Sequence, residues 1–147
     1  MLPVAPALLS GQLIAETSFN APVNVTATTE ATAQTLLGPT GSFALNGSTE
    51  IIISWFIPEI DTTAQQWGLT LFDGASDLMR PATGGSPTAT IQMMNGTSGF
   101  VALTPTAGSH TYSLGGWVVA GGGTVVFRAG TGGAGNLAPG FLRITRS

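Results

Sequence analysis

Cysteine is absent from this chain, and so is lysine. Without cysteine there can be no disulfide, no thiolate metal site and no cysteine nucleophile. Stability must come from packing and subunit interfaces instead. Charge is scarce too: four basic and seven acidic residues in 147 make 7%, against a usual figure of about 25%. The cations are Arg80, Arg128, Arg143 and Arg146, and only the last two lie close together. Phosphate binding needs several cations on one face, so nucleic acid is not an expected partner, nor is an anionic membrane surface. No apolar run approaches the ~18 residues of a membrane-spanning helix. The first ten residues are apolar but lack a basic start and carry Pro3 and Pro6, so they do not read as a signal peptide. Helix signals are weak, and only Thr62 to Gln66 could form a helical turn. With so few titratable groups, a structural or binding role is expected rather than an enzyme, with no cofactor and no metal.

What is present is β-forming sequence. Apolar residues make up 43% of the chain, enough for a core, and the length fits one domain. Low charge together with this hydropathy argues against disorder. The 21 glycines and nine prolines cut the chain into short segments. Strands are predicted over 12–19, 23–29, 32–37 and 50–60, with a turn at Gly38-Pro39-Thr40-Gly41. The segment 50–60 is the most apolar. Ile51, Ile53, Trp55 and Ile57 share one face, and Ile52 and Phe56 lie on the other. A strand apolar on both faces is covered on both sides, and in a small sandwich the second cover can be another subunit. Further strands are predicted over 67–72, 88–94, 98–104, 110–120, 124–129 and 141–146. Residues 74–87, rich in Gly, Pro and Ser, read as a loop. Asn95-Gly96 reads as a hairpin turn. Nine or ten short strands with almost no helix and no fixed repeat predict a β-sandwich or barrel.

The motifs that could carry chemistry are thin. Gly130-Thr131-Gly132-Gly133-Ala134-Gly135 matches the glycine spacing of a dinucleotide loop, but Pro139 and a strand follow where a helix is required. Asp73 and Asp77 flank a Gly-Ser turn, too few acids for calcium. Glu59 and Asp61 share a strand face and read as a solvated strand end. His110 is the single histidine. Ser109 beside it does not make a catalytic pair, because neighbours in sequence seldom face each other, and no nucleophile-elbow motif occurs. Asn24, Asn46 and Asn95 match the glycosylation pattern in a chain rich in such residues. Trp55, Trp67, Trp117 and Tyr112 are core or interface candidates, with a sugar-binding platform as the alternative.

The C-terminal residues carry a resemblance. Gly108-Ser109-His110-Thr111-Tyr112-Ser113-Leu114-Gly115-Gly116-Trp117 leads to Thr124-Val125-Val126-Phe127-Arg128-Ala129. A glycine loop follows, then Ala138-Pro139-Gly140-Phe141-Leu142-Arg143-Ile144-Thr145-Arg146. This order resembles bacteriophage virion proteins with a jelly-roll domain of the tumour necrosis factor and C1q (TNF/C1q) type. The resemblance implies an all-β, TNF/C1q-like jelly-roll sandwich of about ten short antiparallel strands, assembled as a homotrimer. It further implies a terminal strand central in the inner sheet, near the first strand, with apolar residues lining the three-fold axis.

On that basis residues 1–10 are expected to form an extended arm and 11–147 the jelly-roll domain. Leu2, Val4, Leu8 and Leu9 of the arm are expected to dock on a capsid. Ile51, Ile53, Trp55, Ile57, Phe141, Leu142 and Ile144 are expected in the core or trimer interface. The expected function is a trimeric capsid decoration protein on the virion surface, whose partners are itself and the major capsid protein. A start at Met1, a strand-like end at Ser147 and no fibre shaft favour that role. The alternative is an adhesion head, on a phage tail or spore surface, that recognises surface glycans through loops 74–87 and 130–139.

Overall fold

A computed structural model describes residues 10–63, 65–85 and 91–147. The strands are β1 (Leu13–Phe19), β2 (Val23–Val25), β3 (Gln34–Leu37), β4 (Phe43–Asn46), β5 (Ile51–Thr63), β6 (Gln66–Asp73), β7 (Ser76–Gly85), β8 (Ile91–Leu103), β9 (Ala107–His110), β10 (Tyr112–Ala120), β11 (Val125–Arg128) and β12 (Gly140–Arg146). A single 3-10 turn, Glu30–Thr32, is the only helical element among the described residues. The protein is all-β and sandwich-like.

Two antiparallel sheets build it. The first runs β1-β12-β5, with β8 on the other edge of β5. Along the edge shared with β12, β11 takes over at Glu59–Asp61 and β2 lies beyond it. The second sheet runs β3-β10-β6-β7, and β4 pairs with β9 as a separate two-stranded ribbon. Alternation explains the layering. In β5, Ile51, Ile53, Trp55 and Ile57 turn inward and are buried, while Ile52, Ser54 and Phe56 turn outward. Leu142 and Ile144 of β12 and Leu69, Leu71, Tyr112 and Leu114 of the second sheet meet them in one core.

Pro58 sits inside this central strand, where a missing N–H normally breaks a ladder. Here it falls between the β12 segment, which ends at Phe56, and the β11 segment, which begins at Glu59. On the opposite edge the β8 register carries Gly96 past it. A Cβ on Gly96 would lie 1.8 Å from the Ile57 carbonyl oxygen, so only glycine fits. Asn95-Gly96 is therefore not the predicted hairpin turn: β8 runs through it and pairs with β5 from Ile51 to Thr63. The glycine answers to the close approach of a neighbouring backbone.

Four more glycines sit directly opposite an aromatic ring on the next strand. These pairs are Gly140 with Phe19, Gly99 with Trp55, Gly84 with Trp67 and Gly68 with Trp117. In each, an added Cβ would come within 2.0 to 2.7 Å of a ring atom. The rings take up the space of the missing side chains, a known way of restoring packing at a strand glycine.

Other expectations are corrected. Residues 76–85 are strand β7, not loop: β7 is an edge strand, where Pro81 is tolerated, and Gly84 makes room for Trp67. Thr62, Thr63 and Gln66 belong to strands rather than to a helical turn. The predicted strand 23–29 ends at Val25, and β4 was not anticipated. The expected turn at Gly38–Gly41 contains a cis Gly38-Pro39 bond and is tied to β10: Thr40 N–H donates to Tyr112 O at 2.8 Å, and Tyr112 N–H donates to Thr40 Oγ1 at 3.0 Å. The glycine loop 130–135 closes on itself through Gly130 N–H to Ala138 O and Gly132 N–H to Leu137 O, and no helix follows.

Candidate functional site

Two features stand out, one on the outer surface of the first sheet and one at the end of the sandwich. The outer surface is built by the residues that alternate with the core. Register places Phe56 between Phe141 of β12 and Ser98 of β8, and Ser54 between Arg143 and Phe100. Ile52 lies between Thr145 and Ala102. Phe56 and Phe141 are half-buried against each other with ring centroids 5.9 Å apart. Phe100 is 69% exposed and Leu13, on the edge strand β1, is 51% exposed. Arg143 lies 4.7 Å over the Phe141 ring and donates to Glu16 of β1 at 2.7 Å. The apolar side chains of this face lie on both sides of a middle row formed by Glu16, Arg143 and Ser54, which Phe100 continues on β8.

Of the residues expected in the core or trimer interface, Ile51, Ile53, Trp55, Ile57, Leu142 and Ile144 point into the sandwich core of their own chain. Phe141 alone turns to the outer surface. The adjoining outward residues are Phe56, which alternation already assigns to that face, and Phe100, which sequence reasoning missed. Phe100 lacks a legible signal, because its place depends on β8 pairing with β5. Leu2, Val4, Leu8 and Leu9 lie outside the described residues.

The second feature is a cleft of about 310 Å³ lined by Asp73, Leu78, Met79, Leu103, Thr104, Pro105, Thr106, His110 and Tyr112. The β6–β10 register sets Tyr112 opposite Asp73 and so brings His110 beside that carboxylate. His110 Nδ1 is 2.5 Å from Asp73 Oδ2, and Nε2 is 2.9 Å from the Thr106 carbonyl oxygen. When Asp73 is ionised both partners are acceptors, so the ring satisfies both bonds when both nitrogens carry protons, as an imidazolium. The Asp73 hydrogen bond accordingly raises the imidazole pKa above its ordinary value, against the opposing effect of burial. Thr111 N–H donates to Asp73 Oδ1 at 3.2 Å.

Tyr112 stacks on His110 with ring centroids 6.0 Å apart and planes 4° apart. The tyrosine is fully buried, and its hydroxyl has no partner among the described residues. Burial, with help from the Asp73 charge, pushes its pKa up to about 12. With His110 protonated, this end holds an ion pair beside a protonated phenol. The imidazolium has no free lone pair and cannot act as a general base in this state. Ser109 Oγ is bonded instead to Ser42 Oγ at 2.5 Å, so no serine–histidine pair forms.

Other charges tie strands together. Arg128 of β11 pairs with both Glu59, at 3.4 Å, and Asp61 of β5. Arg80 of β7 pairs with Glu30 at 2.7 Å and lies 4.7 Å over the Trp117 ring. Those bonds, aided by the Thr70 hydroxyl, hold the Glu30 carboxyl below its usual range despite some desolvation. Among the described residues no group of three or more His, Asp or Glu could hold a metal. None of the described helices is long and apolar enough to cross a membrane. Asn46 serves its own turn, its Oδ1 accepting from the backbone N–H groups of Ser48 and Thr49.

Trp55, Trp67 and Trp117 are 4–6% exposed and Tyr112 is fully buried, so these four rings form no exposed platform. No family model matches the chain, and no curated protein matches it.

Proposed function

We propose that this chain is a structural virion protein, a homotrimeric decoration protein of a phage capsid built on a TNF/C1q-like jelly roll. The strand order supports the fold. The chain alternates between the sheets so that β1, β12, β5 and β8 are neighbours in one and β3, β10, β6 and β7 in the other. Such an order fits the winding of an eight-stranded jelly roll and so supports this reading. The C-terminal strand β12 lies between β1 and β5, where the resemblance puts a terminal strand.

The observation that carries the functional reading is the outer surface of the first sheet. Phe56, Phe100, Phe141, Ile52 and Leu13 put large apolar side chains on that face around the Glu16–Arg143 pair, and exposed apolar side chains grouped in this way support an interaction site. Self-association through it would cover the most apolar strand on its second side. The major capsid protein, on this reading, is engaged by residues 1–10. No particular observation favours the glycan-binding alternative: Ser76–Gly85 is strand, and the candidate aromatics are buried.

Two measurements test the proposal. Light scattering on the purified chain should give three times the protomer mass at micromolar concentration, and a monomer would refute the trimer. Quantitative mass spectrometry of the particle should find hundreds of copies in simple ratio to the major capsid protein. A handful of copies would move the chain to a tail tip, and none would remove it from the virion.

A further inference from the structure

We infer that His110 is a pH-operated latch at the end of the sandwich. With both ring nitrogens protonated it ties the β8–β9 connection, residues 104–106, to β6; on losing a proton it keeps Asp73 and lets Thr106 go. The side chain is 8% exposed and stands between two oxygen atoms, Asp73 Oδ2 at 2.5 Å and the Thr106 carbonyl at 2.9 Å. With Asp73 ionised neither neighbour can donate, so each bond needs an N–H on the ring. A neutral imidazole carries one N–H, and one of the two bonds must then fail.

The partners decide which bond fails. Nδ1 faces a carboxylate, and a bond to an ionised acceptor is roughly twice as strong as one to a neutral carbonyl. The neutral ring therefore keeps its proton on Nδ1 and turns the lone pair of Nε2 toward the Thr106 oxygen, leaving two acceptors 2.9 Å apart. Little else holds that carbonyl in place. Thr104 and Thr106 are exposed, and residues 104–106 make no other hydrogen bond among the described residues. Pro105 is buried in the cleft wall, and apolar burial needs no directional bond. Release is therefore confined to Thr106 and the start of β9 at Ala107.

Among the described residues no second charge competes for the ring. β4 sets Phe43 opposite His110 and has no titratable side chain. β10 stacks Tyr112 on it, and that phenol stays neutral up to about pH 12. β8 and the connection have no titratable residue. On β7, Asp77 lies opposite Phe72 and so on the other sheet face from Asp73, and Arg80 is held by Glu30. The proton on His110 thus answers to the Asp73 carboxylate, which favours it, then to burial, which opposes it, and to the Thr106 carbonyl, which favours it. The latch is fully closed below the ordinary imidazole value and opens as pH rises through the folded-state value, which lies higher.

Every group of the latch comes from one chain, so the inference does not depend on the assembly proposed above. The test is NMR of the full-length protein over a pH series, following the His110 ring nitrogens together with the backbone amides of Thr106 and Ala107. Through the His110 midpoint the ring should pass from doubly protonated to the Nδ1–H tautomer. The Thr106 and Ala107 amide shifts should change with the same midpoint. Their order parameters should fall from the ~0.85 of rigid backbone toward ~0.6, while those of β5 and β12 stay unchanged. Asp73→Asn removes the charge that favours the proton, so both curves should move together to lower pH. His110→Gln has nothing to titrate at this position, so Thr106 and Ala107 should lose their pH response; this variant serves also if Asp73→Asn does not fold. A neutral ring found as the Nε2–H tautomer would overturn the inference, because Thr106 would then be kept and Asp73 released. Thr106 and Ala107 amides that stay unchanged through the midpoint, or that respond equally in His110→Gln, would do so as well.

Discussion

Replacing Gly99 by Ala should destabilise the protein, and the structure says why and by how much. Gly99 of β8 lies directly opposite Trp55 of β5. A Cβ there would sit 2.5 Å from Trp55 Cζ2 and 2.7 Å from Cη2, about 1 Å inside ordinary carbon–carbon contact. Neither side can retreat easily. Trp55 is 5% exposed, and β5 is held between β8 and β12 along this stretch. Overpacking of this kind costs ~1–3 kcal/mol. The alanine recovers ~0.5–1 kcal/mol by restricting the unfolded chain. The net loss should be centred on ~1 kcal/mol, which at this chain length lowers Tm by roughly 2–4 °C. Thermal unfolding by circular dichroism, at one fixed protomer concentration so that self-association does not shift the midpoint, measures it. Trp55→Phe removes the two offending ring atoms, so Gly99→Ala should be neutral or stabilising in that background. Gly41→Ala is the control, because its Cβ would meet nothing within 4 Å and its backbone is not left-handed; its effect should stay within about 0.5 kcal/mol. An equal penalty for Gly99→Ala in the parent chain and in the Trp55→Phe background would refute the reasoning, since the clash would then not be its cause.

Three further outcomes follow from the same geometry. The single histidine gives an unambiguous NMR titration, whose midpoint in the folded protein should lie above the ordinary 6.5. The stability that His110 gains from Asp73 is then fully present below pH 6.5 and is lost as pH rises through the folded-state value. Asp73→Asn should flatten that pH dependence, and an unchanged profile would sink the ion-pair reading. Tyr112, the one tyrosine, should show no phenolate absorbance until pH about 12, whereas titration near 10 would mean its hydroxyl is open to solvent. Phe100→Glu, at a position 69% exposed, should change the stability of one protomer by no more than about 0.5 kcal/mol yet shift the light-scattering mass from trimer to monomer. A trimer that survives it would place the interface elsewhere.

The strands that sequence reading located well are those where alternation and burial agree. Ile51 to Ile57 alternates cleanly, and β12 carries Leu142 and Ile144 inward with Phe141 outward. It failed where a residue answered to a neighbour distant in sequence. Gly96 has the signature of a tight turn because Asn-Gly is the commonest one, but its absent Cβ accommodates Ile57 and Pro58 across the sheet. Gly84 and Pro81 gave β7 the composition of a loop, although one faces Trp67 and the other lies on an edge strand. Composition counts glycines without saying which ones face rings. The candidate site was equally hidden: Asp73 and His110 are 37 residues apart and meet only because β6 and β10 pair.

The scarcity of charge has a consistent structural use. Arg80 ties β7 to the 3-10 turn and covers Trp117, Arg128 ties β11 to β5, and Arg143 ties β12 to β1. Each of these guanidiniums spans two elements that are separate in sequence. A planar guanidinium can hydrogen-bond a carboxylate and stack on a ring at once, as Arg80 and Arg143 both do, and a lysine ammonium has no such plane. That makes the absence of lysine intelligible at these positions. It also sharpens the outer face. Arg143 and Glu16 lie in the middle row of that face, between its two apolar rows, with side chains 43% and 36% exposed. In one isolated protomer such a pair contributes little, about 0–1 kcal/mol. Covered by a second copy it would lose water, so Glu16→Ala would strand the Arg143 charge at the interface and weaken association while leaving the protomer's own fold intact. A concentration series of light scattering on Glu16→Ala separates the two cases: dissociation at higher protomer concentration than the parent places the pair inside the interface, and an unchanged curve leaves it in solvent.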